Sequence, residues 1–412
     1  MVSIGDILLR QKRELTETLN KKYIKREIDL LELNKPIIKV ITGPRRAGKS
    51  FFSIHELSNF GYVNFDDEGI IEITNYDEIL VALKDLYNDP TLLFLDEIQN
   101  VPKWELFVNR LQRQGYNLVI IGSNANLLSR ELATHLTGRY INLIIFPFSF
   151  KEYLSYFGNE FTSVEKKSKL IEYLRNGGYP EPLVKDLNYK DYLKTLFDSI
   201  LFKDIVKRYN PKYSKGLEGI ANFLISNFSN LVSYGNVTKF TDIGSVHTVK
   251  KYISYLEEAF LVFELKRFSF KVKEQEKANK KVYIIDNGLI NAKSFNFSKN
   301  IGRLYKNLVA IELKKRELMG KLEFYYYKKD YEVDFVIKKG RNIEQLIQVC
   351  YNIDDIKVKE REIRGLLHAS EDLKCKNLLL ITEDYEEKEE LEWYGIKGKV
   401  KYIPLWKWLL YQ

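Results

Sequence analysis

Residues 37–50 constrain this chain more than any other segment. Residues 37–42 (IIKVIT) form a short β-branched run that reads as a buried strand. The run passes directly into Gly43-Pro44-Arg45-Arg46-Ala47-Gly48-Lys49-Ser50, which fits G-x-x-x-x-G-K-[ST]. The following FFSIHELSNF, starting at Phe51, can continue as a helix, so the motif sits in strand, loop, helix order. Glycines let successive backbone N–H groups turn inward into an anion-binding nest, and a helix N-terminus adds partial positive charge. The pattern places Lys49 to reach the β- and γ-phosphates of a bound nucleotide and the Ser50 hydroxyl to ligate Mg²⁺.

A second segment supplies what a phosphate loop lacks. Thr91-Leu92-Leu93-Phe94-Leu95-Asp96-Glu97 is an apolar strand ending in two carboxylates, and it looks like a Walker B strand. Asp96 is the expected partner of Mg²⁺ beside Ser50, and Glu97 the residue that orients or deprotonates an attacking water. A third strand, from Asn117 to Gly122, ends in Ser123-Asn124 and precedes a helix-like stretch (LLSRELATHL), Thr137-Gly138-Arg139 and a further strand, INLIIF. This order resembles the AAA+ core. The resemblance implies that Ser123 or Asn124 senses the γ-phosphate and that Arg139 acts as a finger on transition-state charge. Arg139 reads equally as an exposed arginine favoured by a helix C-terminus.

GPRRAGKS, FLDEIQNVPKWE, IGSNANLLSRELATHLTGRY, FPFSFKEYL and GGYPE together resemble the archaeal P-loop ATPase family, AAA+-like and close to the STAND group. That resemblance covers nearly the whole chain and implies ATP or ADP and Mg²⁺ as cofactors. In the STAND group a Gly-x-Pro in the helical lid approaches the nucleotide base and ribose, which maps onto Gly178-Tyr179-Pro180; Gly177-Gly178 also reads as a helix C-cap followed by a proline stop. Tyr23-Ile24-Lys25-Arg26 resembles the segment upstream of the phosphate loop, where an arginine touches nucleotide, although the residues alone read as an exposed helical arginine.

The second half carries two patterns. Val237–Gly244 and Ser245–Phe260 read as two helices around a tight glycine turn, and Val246, Val249, Ile253, Leu256 and Phe260 form one apolar stripe. His247, Lys250 and Lys251 stay outside the stripe as candidate DNA contacts, and Leu261–Leu265 suggests a wing strand. From about 280 onward come a strand (KVYIID), a helix (RLYKNLVAIELKKREL) and three strands (LEFYYYKK, EVDFVIKK, LIQVCYN). Glu312, Asp334 and Gln348-Val349-Cys350 resemble the PD-(D/E)XK nuclease scaffold, with a cysteine where that chemistry needs a lysine, so the resemblance implies a degenerate nuclease fold more than cleavage.

The expected fold class is thus α/β: an AAA+-like P-loop NTPase parallel sheet core (1–150), a helical lid (151–212), a winged helix (213–275) and a nuclease-like α/β domain (276–412). Composition fits it. Hydrophobic residues at 45% and charged residues at 29% describe a folded chain, and 412 residues exceed a single core. No apolar run approaches the roughly 20 residues of a membrane span, and the N-terminus turns charged too early for a secretory signal. With only Cys350 and Cys375 as cysteines, the expectation is a cytoplasmic protein without a disulfide framework. A net charge of +9 suits a polyanion such as double-stranded DNA, or equally a solvated Lys/Glu surface. Two functions stay open: ATP hydrolysis driving conformational change on nucleic acid, or a nucleotide-controlled switch that binds a protein.

Overall fold

The computed structural model describes residues 3–28, 37–71, 73, 75–122, 140–241, 243–293 and 300–411, in two compact units, Met1–Phe148 and Ser149–Gln412.

In the first unit, β1 (Ile38–Thr42), β2 (Phe60–Asn64), β3 (Leu92–Asp96), β4 (Asn117–Ile121) and β5 (Tyr140–Ile144) form one parallel sheet in the order β2-β3-β4-β1-β5. These strands read as near-continuous apolar runs because both faces are covered. Val40, Leu95 and Ile120 face one apolar layer with Trp104, Phe107 and Leu111, while Ile41, Phe94, Val119 and Ile121 face another with Phe52 and Ile54. Each such side chain, fully buried, contributes roughly 1.5–3 kcal/mol. Lys39, in the middle of β1, is the exception: it is fully buried, donates to the Asn117 side chain, and burial lowers its ammonium to about 8. The register brings Ile41, Ile121 and Asp96 into one row, so the ends of β1, β4 and β3 finish level.

Helix α1 (Ile4–Leu19) begins with a Ser3/Asp6 capping box and buries Ile7, Leu8 and Leu15. Its Gln11 side chain closes the open edge of β2, donating to the Asn64 carbonyl at 3.0 Å and accepting from the Asn64 N–H at 2.9 Å.

The second unit opens with the helices Phe150–Phe157, Ser163–Asn176, Pro180–Val184 and Tyr189–Ser199, the first two started by the capping boxes Ser149/Glu152 and Thr162/Glu165. Next come the helix Ser214–Ser226, β6 (Leu231–Val232), the helices Tyr234–Phe240 and Val246–Glu258, β7 (Val262–Leu265) and β8 (Lys280–Ile284). The strand expected from KVYIID is β8, and it pairs antiparallel with β6 and β7 in a sheet ordered β6-β8-β7, not with the strands that follow. The apolar stripe of Val246–Glu258 is shorter than expected. Val249, Ile253, Leu256 and Phe260 are buried, whereas Val246 is 43% exposed, because the first turn of this helix projects beyond the core it packs on.

The helix Ile301–Leu318 leads into a six-stranded mixed sheet: β9 (Glu323–Lys328), β10 (Glu332–Lys339), β11 (Asn342–Val349), β12 (Leu378–Thr382), β13 (Lys388–Trp393) and β14 (Ile396–Pro404), ordered β13-β14-β12-β11-β10-β9. β9, β10 and β11 form an antiparallel meander; the parallel β11/β12 pair is joined through the helix Ile356–Asp372. Among the described residues no helix is long and apolar enough to cross a membrane.

Candidate functional site

The phosphate loop has the backbone its motif demands. Gly43 lies at φ 137°, and a Cβ there would fall 2.1 Å from the Ile145 carbonyl oxygen, so only glycine allows β1 and the residue after β5 to approach this closely. Arg46 (φ 63°) and Gly48 (φ 92°) are left-handed, and helix α2 (Lys49–Glu56) starts immediately after Gly48. Alternation of right- and left-handed residues turns successive N–H groups toward one concavity. Lys49 is buried, and its ammonium donates to the loop's own Gly43 and Pro44 carbonyls at 3.1 and 3.0 Å.

Asp96 ends β3 and is 4% exposed. Burial, then the neighbouring Glu97 charge, pushes its carboxyl up to about 7, against the opposing pull of the Ser50 hydroxyl and the Lys49 ammonium. Its Oδ2 accepts a long hydrogen bond from Tyr62 at 3.4 Å; its Oδ1 is buried without a hydrogen-bond partner. A buried carboxylate with one oxygen left partnerless, beside a serine hydroxyl, is a donor set suited to a hard divalent cation. Glu97 adopts a left-handed conformation (φ 52°), which redirects its side chain at the strand end; its N–H donates to the Ile121 carbonyl at 3.1 Å and its carboxylate accepts from the Gln99 amide.

Arg26 corrects the reading from the residues alone. It is neither exposed nor helical: at 7% exposure it donates from one nitrogen to the Ala47 carbonyl at 3.2 Å and from another to the Phe146 carbonyl, with its guanidinium 4.8 Å from the centre of the Phe148 ring. It thereby ties the phosphate loop to the chain leaving β5. Gln99 and Tyr62 also belong to the site, and the sequence marks them only by nearness to the Asp-Glu pair or by placement on the adjacent strand. Ser123, Asn124 and Arg139 lie outside the described residues.

In the second unit Gly178-Tyr179-Pro180 forms the sharp start of the helix Pro180–Val184, with Tyr179 as N-cap and Pro180 in its first turn. His247, Lys250 and Lys251 are exposed on Val246–Glu258, and Lys250 lies 5.1 Å from the Tyr234 ring centre. The C-terminal candidates only partly converge. Asp334 and Gln348 meet, the Asp334 N–H donating to Gln348 Oε1 at 2.8 Å, but Glu312 pairs with Arg316 on its own helix at 3.2 Å. A bulge at Asp334–Phe335 opposite Tyr326 turns the buried Asp334 carboxylate between Lys306 at 2.7 Å and Lys281 at 3.1 Å. Burial works against ionisation there, yet the two ammonium groups hold the carboxyl down to about 2. Positive charge therefore reaches Asp334 from a helix and from β8, while burial pushes the Cys350 thiol up to about 11. Among the described residues no group of three or more His, Cys, Asp or Glu is placed to hold a metal.

Residues 35–154 match the family model described as AAA domain, and residues 167–300 match a domain of unknown function, DUF8612. The chain is 38% identical to an uncharacterized protein, MJ1544, of Methanocaldococcus jannaschii, over 94% of this chain and 91% of that one. It is 32% identical to an uncharacterized protein of Haemophilus influenzae, over 94% of this chain and 99% of that one. Among solved structures, AMPPCP-bound DnaA from Aquifex aeolicus is 15% identical, covering 62% of this chain and 91% of that one with a TM-score of 0.25, a level that establishes no shared arrangement. The phosphate loop, the strand-end carboxylates and the match of the first unit to an AAA domain identify a nucleotide-binding and nucleotide-hydrolysing core, and the chain belongs to one family with these archaeal and bacterial relatives, a family of P-loop ATPases.

Proposed function

We propose that the protein is a Mg²⁺-dependent ATPase whose nucleotide cycle drives conformational change in the second unit, on or near nucleic acid. The observation that carries the metal assignment is the buried Asp96 carboxylate, its Oδ1 without a hydrogen-bond partner and the Ser50 hydroxyl beside it. Ser50 and Asp96 would hold Mg²⁺, which when bound would supply positive charge against that developing on the phosphate. The chain's own residues do the rest. Lys49 exchanges the Gly43 and Pro44 carbonyls for β- and γ-phosphate oxygens, so the loop is pre-organised and charge-satisfied before nucleotide arrives. Backbone N–H groups of the loop and α2 hold the remaining oxygens. Glu97, held by Gln99, orients the attacking water and takes its proton. Asn124 reads the γ-phosphate and Arg139 stabilises transition-state charge, within the subunit or across a subunit contact.

We read the second unit as a helical lid, a winged helix and a nuclease-like module. The order helix, β6, helix, helix, β7, β8, with β8 (Lys280–Ile284) central in the sheet, supports the reading of this region as a winged helix. Exposed His247, Lys250 and Lys251 on its second long helix are the DNA-facing candidates. One observation favours the competing reading, a nucleotide-controlled switch that binds a protein: the Asp334 carboxylate of the nuclease-like sheet is already ion-paired with Lys281 and Lys306, cations that a catalytic metal would have to displace. Under either reading plasmid cleavage is not expected with Mg²⁺ or Mn²⁺.

ATP turnover should be measured for wild type, Lys49→Ala and Glu97→Gln, each with and without duplex DNA at two salt concentrations. Turnover absent in both variants supports the site, and salt-sensitive stimulation by DNA supports the nucleic-acid reading. Turnover indifferent to Lys49 overturns the assignment; DNA binding unchanged by Lys250→Glu with Lys251→Glu removes that face.

A further inference from the structure

Tyr62 lies in the middle of β2, and the geometry of the first unit aims its hydroxyl at Asp96. The register of the parallel pair sets Tyr62 beside Phe94 and Asn64 beside Asp96. Side chains two residues apart on a strand share a face, so Tyr62, Phe94 and Asp96 stand on the same side of the sheet. That side is the apolar layer shared with Phe52 and Ile54 of α2, the helix that carries Lys49 and Ser50 at its start. Two residues of parallel strand advance roughly 6.6 Å, a gap that a tyrosine laid along the sheet can span and a serine or threonine cannot.

The ring is held where this reach requires it. Tyr62 is 8% exposed and its ring centre lies 5.1 Å from that of Phe94, with 48° between the planes; Phe94 in turn meets Phe60 edge-on at 5.9 Å. From there the hydroxyl donates to Asp96 Oδ2 at 3.4 Å. A bond this long stabilises little, but it gives the carboxylate a direction. The terminal torsion of an aspartate is a broad, two-fold rotor, and one fixed contact selects its plane. With Oδ2 committed to Tyr62, Oδ1 is the oxygen left buried without a partner.

We propose that Tyr62 is a positioning residue for the cation: its hydroxyl fixes the Asp96 carboxylate so that Oδ1 is kept for Mg²⁺ beside the Ser50 hydroxyl. This rests on the reading that Ser50 and Asp96 hold Mg²⁺. A tyrosine buried for packing alone also puts its hydroxyl on an acceptor within reach, but losing that hydroxyl would then change stability and leave the metal dependence of nucleotide binding as it was.

The test uses the full chain and compares wild type, Tyr62→Phe, Asp96→Asn and the pair. Kd for a fluorescent ADP analogue is measured with Mg²⁺ and with EDTA in its place, and KM and kcat for ATP are followed across a Mg²⁺ titration, with thermal unfolding as a check on folding. The ratio of the two Kd values is taken within each protein, so a loss of stability common to both conditions cancels. Mg²⁺ should tighten binding by wild type. Tyr62→Phe should lose roughly threefold to tenfold of that gain, keep its affinity in EDTA within about twofold, and need more Mg²⁺ for half-maximal turnover while reaching wild-type kcat within about twofold. The pair should match Asp96→Asn alone, because Tyr62 acts only through that carboxylate. A wild type indifferent to Mg²⁺ would sink the metal reading itself. A Mg²⁺ response in Tyr62→Phe equal to that of wild type, or an affinity that falls equally with Mg²⁺ and with EDTA, would overturn the positioning role alone.

Discussion

Replacing Asp96 by Asn should make the nucleotide-free protein more stable above neutral pH while abolishing its response to Mg²⁺ and nucleotide. The carboxyl titrates near 7 in the fold against 3.8 for a free side chain, chiefly through burial and then through Glu97. The folded protein therefore holds this proton more tightly than the unfolded chain, and the group's contribution to stability declines as pH rises from about 4 to about 7 and is flat beyond. At 1.36 kcal/mol per pH unit the decline amounts to about 4 kcal/mol. An asparagine amide carries no charge at any of these pH values and removes the term. Every other ionisable group is common to both proteins, so the difference between their unfolding curves isolates Asp96. In scanning calorimetry from pH 4 to pH 8 the variant's Tm advantage should open through the acid range and level off near pH 7. At roughly 2–4 °C per kcal/mol for a unit of this size, the plateau lies near 10 °C. Mg²⁺ with ADP should raise the Tm of wild type and leave the variant where it was. A Tm difference that does not change with pH, or a wild type that gains on the variant as pH rises, would refute the reasoning.

Arg26→Ala strands the buried Ala47 and Phe146 carbonyls and should cost about 2–4 kcal/mol in urea unfolding of the first unit, along with weaker ATP binding; Arg26→Lys should recover only part, since one ammonium cannot span both acceptors. Gly43→Ala should lower ATP affinity by more than about tenfold in equilibrium binding, because the new methyl meets the Ile145 carbonyl and forces the loop open. Lys281→Met leaves Glu332 and Asp334 short of a buried cation and should destabilise the second unit by roughly 3–5 kcal/mol in thermal unfolding near neutral pH. That penalty should shrink as pH falls from about 4 toward 2, where the unfolded and then the folded carboxyl take up protons.

How much of this was legible beforehand follows from the range of the interactions concerned. Gly43–Ser50 and Leu92–Glu97 are local devices: a glycine at positive φ, a helix N-terminus and an apolar strand ending in carboxylates each act within a few residues, so spacing alone reveals them. The two helices around Gly244 and the apolar strands of the last sheet are equally readable, because periodicity of 3.6 or 2 is written along the chain. Arg26 shows where this stops. In a charged stretch it reads as solvent-facing, and only the return of β5 beside the phosphate loop supplies the two carbonyls that bury it. Asp334 lies inside a recognisable strand, but its partners Lys281 and Lys306 come from a different sheet and from a helix, so the absence of a lysine at position 350 is visible in the sequence and these two ion pairs are not. The sequence by itself determined the phosphate-binding chemistry and the strand and helix periods, because those depend on neighbours along the backbone. Only the tertiary structure decided which charges are buried and against what, because electrostatic and hydrogen-bonding partners are chosen by distance in space.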